Sequence, residues 1–125
     1  GEADHDNFNL FRDWMRLCFR KDVKGAVYWV DELAGLGRER QKSLLNYALH
    51  IFRECLVGNY TSEELVRLDG EEMAFSGKFS NYIKSGNILP LYEEINTAHY
   101  HVERNANPKI LFLDLSFKIF KWINK

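Results

Sequence analysis

Cystine, β-strand and membrane-span signals are all missing from this sequence, and each absence narrows what the chain can be. Its only cysteines, Cys18 and Cys55, both fall within apolar patterns of helical period, so they read as reduced core thiols rather than a disulfide framework. No stretch alternates apolar and polar residues between turn dipeptides, which excludes an obvious strand. Charge of one sign is missing too: 17 Lys and Arg oppose 18 Asp and Glu, for a formal net charge of −1. Global attraction to nucleic acid or to an anionic membrane is thereby excluded, and any DNA contact would have to be local. The opening "GEADHDN" is polar and acidic and carries no signal-peptide pattern, so a cytoplasmic location is expected and the sequon at Asn59 should be idle.

Catalytic signatures are equally scarce. A Gly-Lys dipeptide occurs in "GEEMAFSGKFS", but six residues rather than four separate Gly70 from Gly77, and Phe79 stands where a phosphate loop needs a magnesium-binding Ser or Thr. No G-x-S-x-G elbow is present. Neither a nucleotide cofactor nor a catalytic residue is expected.

What the chain does contain is helical periodicity. With 125 residues it is long enough for one domain with a real core. Residues 1–6 read as a linker and 7–125 as a single all-α domain, a compact bundle of five to six helices. Asn7 is placed to cap a helix from Phe8 to about Lys21, with Phe8, Leu10, Phe11, Trp14, Met15, Leu17, Cys18 and Phe19 on its apolar side. Asp22 should cap a second helix that buries Val23, Ala26, Val27, Val30 and Leu33 and stops at Gly35 and Gly37. A third spans Arg38 to Val57. "TSEE" forms a capping box from Thr61 to Glu64, and a short helix is expected in "EEMAFSGKFSNYI". A long helix then runs from Ile88 to Arg104, with Pro90 in its first turn.

Histidine and arginine supply the remaining chemical candidates. His99 and His101 lie two residues apart and point in different directions on a helix, so they cannot share a metal. His99 with Glu103 could offer two ligands, short of the three or four that zinc requires, and the pair reads better as a core histidine with a hydrogen-bond partner. No metal is expected. His50 faces the polar side of its helix, and His5 lies in the presumed linker. Arg12, Arg16 and Arg20 recur at i, i+4 and i+8, a stripe that could track phosphates but is diluted by Asp13.

The last helix poses the sharpest question. In "ERNANPKILFLDLSFKIFKWI", Asn107 is a good N-cap and Pro108 a good first helical residue, so a helix should run from Pro108 towards Asn124. Asp114, Lys118, Lys121 and Lys125 form one narrow polar stripe, and nearly everything else is apolar. Asp114, Lys118 and Lys121 interrupt the run, which argues against a transmembrane span. The helix is therefore expected to be central in its own core or partly covered by another subunit, with Phe112, Leu115, Phe117, Ile119, Phe120, Trp122 and Ile123 as the candidate partner-facing residues.

The wording of the chain goes further than its periodicity. "FRDWMRLCFRKD", "WVDELAGLGRERQKSLLNYALHIFRECLVGNY" and especially "VERNANPKILFLDLSFKI" resemble the C-terminal helical domain of the delta-prime subunit of the bacterial DNA polymerase III clamp loader. The resemblance extends from about Phe8 to Ile123, and its most specific element, Asn105 to Lys109, is similar in the gamma/tau relatives. It implies a collar-type helical domain that assembles with gamma/tau and delta in a hetero-pentameric ring. It also implies that DNA is engaged only indirectly, during loading of the sliding clamp, and that there is no membrane or small-molecule ligand. In that family the ATPase-type fold lies in a preceding domain, and no catalytic residue carries over to this chain. A helical nucleic-acid-binding module using the arginine stripe is the alternative.

Overall fold

Residues 2–56 and 86–123 are described by the computed structural model, apart from the side chains of residues 2–5 and 54–56. Five helices and no strand occur among the described residues: α1 (Glu2–Phe19), α2 (Val23–Ala34), α3 (Arg38–Leu56), α4 (Ile88–Glu103) and α5 (Pro108–Ile123). The capping box at Thr61, the short helix after Gly70 and the glycine-lysine dipeptide lie outside the described residues.

Local chemistry accounts for most of the helix boundaries. At the end of α1 the chain turns through Lys21, whose φ is 52°, while Asp22 N–H donates to Leu17 O and Lys21 N–H to Cys18 O. These two bonds satisfy carbonyls that the end of a helix leaves free. Asp22 then caps α2, its Oδ1 accepting the N–H of Gly25 at 2.8 Å. Gly37, at φ 92°, supplies the positive-φ residue between α2 and α3. Buried Gln41 reaches back from α3 and donates to the carbonyls of Leu33 and Ala34 at the end of α2.

One boundary differs from expectation. Residues 2–6 are not a linker but the first turns of α1, and Asn7 lies inside that helix rather than capping it. Asn7 is buried and spends its carboxamide on α3, donating to Ser43 Oγ at 2.9 Å and accepting from Arg40 Nη1 at 3.3 Å.

The core forms where α1 meets α2, α3 and α5, with α4 packed between α3 and α5. Trp14 is fully enclosed at its centre. Its ring stacks on Trp29 with centroids 4.6 Å apart and planes 12° from parallel, and lies 6.2 Å from Phe112. Each indole N–H has an acceptor: Trp29 donates to Leu10 O at 3.2 Å and Trp14 to Ser116 Oγ at 2.9 Å. Ser116 in turn donates to Phe112 O at 2.7 Å, which completes a buried chain of hydrogen bonds. On α2 the buried residues are Ala26, Trp29, Val30 and Leu33, whereas Val23 and Val27 are exposed, contrary to their expected burial. The bulk of Trp29 turns α2 so that its own side, rather than the Val23–Val27 side, faces α1.

Two substitutions test these local arguments. Lys21→Gly should raise stability by about 0.5–1 kcal/mol, because a left-handed residue with a Cβ is strained while the unfolded chain gains some entropy from glycine. Ser116→Ala should lower stability by about 1–3 kcal/mol by leaving the Trp14 N–H buried without a partner. Urea denaturation at constant m-value reads both, with opposite signs expected.

Candidate partner interface

The segment from Asn105 to Lys109 forms a corner in which nearly every residue has a physical task. Asn105 adopts φ 62° after α4, its N–H donating to Val102 O and the N–H of Ala106 to His101 O, the same closing pattern as at Lys21. Its side-chain oxygen accepts a hydrogen bond from Arg38 of α3. Asn107 caps α5 by accepting the Ile110 N–H on Oδ1 at 3.0 Å, and Pro108 is the first helical residue. Lys109 Nζ lies 3.4 Å from Asp31 Oδ1 on α2. At the opposite end of α5, buried Asn87 donates to Trp122 O at 3.2 Å from the start of α4. Both ends of the last helix are thereby fastened.

This seating divides the candidate residues. Phe112, Leu115, Ile119, Phe120 and Ile123 are buried within this chain, Trp122 is half-buried, and Phe117 is 42% exposed. The first five are therefore corrected from partner-facing to core residues: α1, α2 and α4 already cover that side of α5. Ile110, which the candidate set omitted, is 71% exposed. It stands seven residues before Phe117 and hence nearly above it on the helix. Phe117 remains joined to the core through an edge contact with Phe120, their centroids 5.6 Å apart. Asp114 and Lys118 form an ion pair at 2.9 Å on the expected polar stripe, and that hydrogen bond raises the Lys118 pKa, keeping its ammonium charged. Neighbouring α2 adds exposed Val23, Val27 and Tyr28. The signal for Ile110 was present in the periodicity, since it falls almost opposite Phe112 and Ile119.

The other chemical candidates take structural positions. His99 is mostly buried, with Nδ1 3.1 Å from Glu103 Oε1, while its Nε2 is buried without a hydrogen-bond partner. His50 and His101 are exposed, and no group of three or more potential metal ligands occurs among the described residues. Arg12 contacts Asp13 at 3.2 Å and covers the Phe8 ring, while Arg16 and Arg20 are exposed. The first member of the arginine stripe is thus engaged within the chain. Burial pushes the Cys18 thiol pKa upward, so the group stays protonated and is not poised as a nucleophile. A groove of about 330 Å³ opens among Asp6, Leu10, Asp13, Glu32, Leu36 and Arg40. Among the described residues no helix is long and apolar enough to cross a membrane.

Comparison with known proteins finds no matching family profile, curated protein or solved structure. The surface of α5 must therefore be interpreted from its own chemistry.

Asn107→Ala should destabilise the domain by about 0.5–2 kcal/mol, the usual worth of an N-cap. Chemical denaturation is the direct measurement, and an unchanged midpoint at unchanged slope would show that the cap contributes nothing to folding.

Proposed function

We propose that this chain is a subunit-assembly domain of the bacterial DNA polymerase III clamp loader, corresponding to the collar domain of its delta-prime subunit. It holds its subunit beside gamma/tau and delta in the cytoplasm while the sliding clamp is placed on DNA. The observation that carries the reading is the divided character of α5: one side is built into the core, and the other presents Ile110 and Phe117 to solvent. Large apolar side chains on an otherwise charged surface suit contact with a protein better than with phosphate. The resemblance of the Asn105 to Lys109 corner and its following helix to clamp-loader collar domains supplies the identity of the partners. Under this reading the domain has no catalytic role, and ATP hydrolysis belongs to other parts of the assembly. The equivalent domain of gamma/tau remains the alternative within the family.

Reconstitution with the other clamp-loader subunits tests the proposal. Phe117→Asp and Ile110→Asp should each weaken assembly at least about tenfold on size-exclusion chromatography, because a charge would be desolvated against an apolar partner. Circular dichroism of the variants should match the parent protein, since both positions lie outside the core. Normal assembly by both variants would remove α5 from the interface, and failure of the unsubstituted chain to join those subunits would overturn the reading as a whole.

A further inference from the structure

A groove of about 330 Å³ opens on the flank of α2 away from α5, among Asp6, Leu10 and Asp13 of α1, Glu32 of α2, Leu36 just beyond it and Arg40 of α3. Two successive carboxylates tell the flanks apart: Asp31 meets Lys109 of α5, whereas Glu32 lines the groove. The floor is apolar. Leu10 packs partly on the core, with its carbonyl held by the Trp29 indole at 3.2 Å, and Leu36 is 43% exposed. The walls are acidic, three carboxylates against one guanidinium. That guanidinium is engaged by Asn7 Oδ1 at 3.3 Å, and Asp13 is shared with Arg12 at 3.2 Å. Asp6 and Glu32 make no ion pair among the described residues. Carboxylates alone would be a solvated face, but here they stand around a concave apolar floor.

Sign and spacing limit what can fill this groove. The charge repels phosphate, and Asp6 and Asp13, seven residues apart, stand about 10.5 Å from each other along α1, too far to share the coordination shell of one metal ion. No group of three or more potential metal ligands occurs among the described residues. A guanidinium fits better. It is flat and weakly hydrated, its methylene stem rests on apolar surface, and its five N–H donors reach carboxylates on separate walls. We propose that the groove receives an arginine side chain of a partner protein, its stem on Leu10 and its guanidinium between Asp6 and Glu32. A volume of about 330 Å³ holds more than one side chain, so an apolar neighbour of that arginine covers Leu36. This contact lies apart from the Ile110–Phe117 edge of α5 and does not depend on the clamp-loader reading.

Titration of the isotope-labelled chain with the capped tripeptide acetyl-Leu-Arg-Leu-amide, followed by amide NMR shifts, is the test. Shifts should move at residues 6–13 and 32–40 and saturate with a dissociation constant of about 1 mM, weaker at high salt. The citrulline analogue keeps the shape without the charge and should bind at least about tenfold more weakly. Acetyl-Gly-Arg-Gly-amide keeps the charge without the apolar neighbours and should lose about three- to tenfold. Glu32→Lys should weaken binding of the first peptide about tenfold and Leu36→Ser about threefold, with the spectrum still that of the folded parent because both positions are exposed. Should either variant disturb the fold, Asp6→Asn takes its place, with a loss of about threefold expected. Phe117→Asp should bind the peptide as the parent does, which separates this groove from the edge of α5. Equal binding of the arginine and citrulline peptides overturns the proposal. So does the absence of saturable shifts below about 10 mM, a response centred on Glu93 and Glu94 of α4 instead, or an affinity that Glu32→Lys and Leu36→Ser leave unchanged.

Discussion

The fold depends on an apolar core centred on Trp14, whose indole N–H is satisfied by one buried hydrogen bond to Ser116 Oγ that joins the first helix to the last across 102 residues of sequence. An indole N–H taken out of water must find an acceptor, and the interior of an apolar bundle offers few. Ser116 supplies one from the middle of an otherwise hydrophobic helix side. Its own hydroxyl proton goes to Phe112 O, so the pair leaves no dangling donor. Burial of Phe112, Leu115, Ile119 and Ile123 sets the rotation of α5, and the bond to Ser116 acts in the same direction.

Stacking extends that constraint to α2. Trp29 lies flat against Trp14 and donates to the carbonyl of Leu10, so two indoles, two acceptors and three helices are mutually positioned. Once Trp29 points inward, Val23 and Val27 turn outward. The exposure of these two valines is thus a geometric consequence of placing large flat rings at the centre.

In the corner before α5 nearly every side chain has a structural task. Asn105 accepts a left-handed conformation and receives Arg38, Asn107 closes the helix start, and Lys109 reaches Asp31. Three helices are thereby tied to the beginning of α5, and Asn87 ties its end. Such a corner fixes the placement of α5 against the rest of the bundle.

Local signals in the sequence determined the helical class and most boundaries. Asp22, Gly37, Asn107 and Pro108 act within a few residues of themselves, so their chemistry is readable without knowledge of the rest of the chain. The start of α1 escaped because the Asn7 carboxamide has two possible uses, and only the presence of α3 decides for Ser43 over a cap. Apolar periodicity showed that α5 is apolar on most sides and sets Phe112 and Phe117 on different sides, but could not say which side meets α1, α2 and α4. Their difference, one fully buried and one 42% exposed, follows from which side of α5 faces those helices, the side that also carries Ser116 to Trp14. That choice belongs to the tertiary structure alone, because contact between residues distant in sequence leaves no periodic trace in the chain.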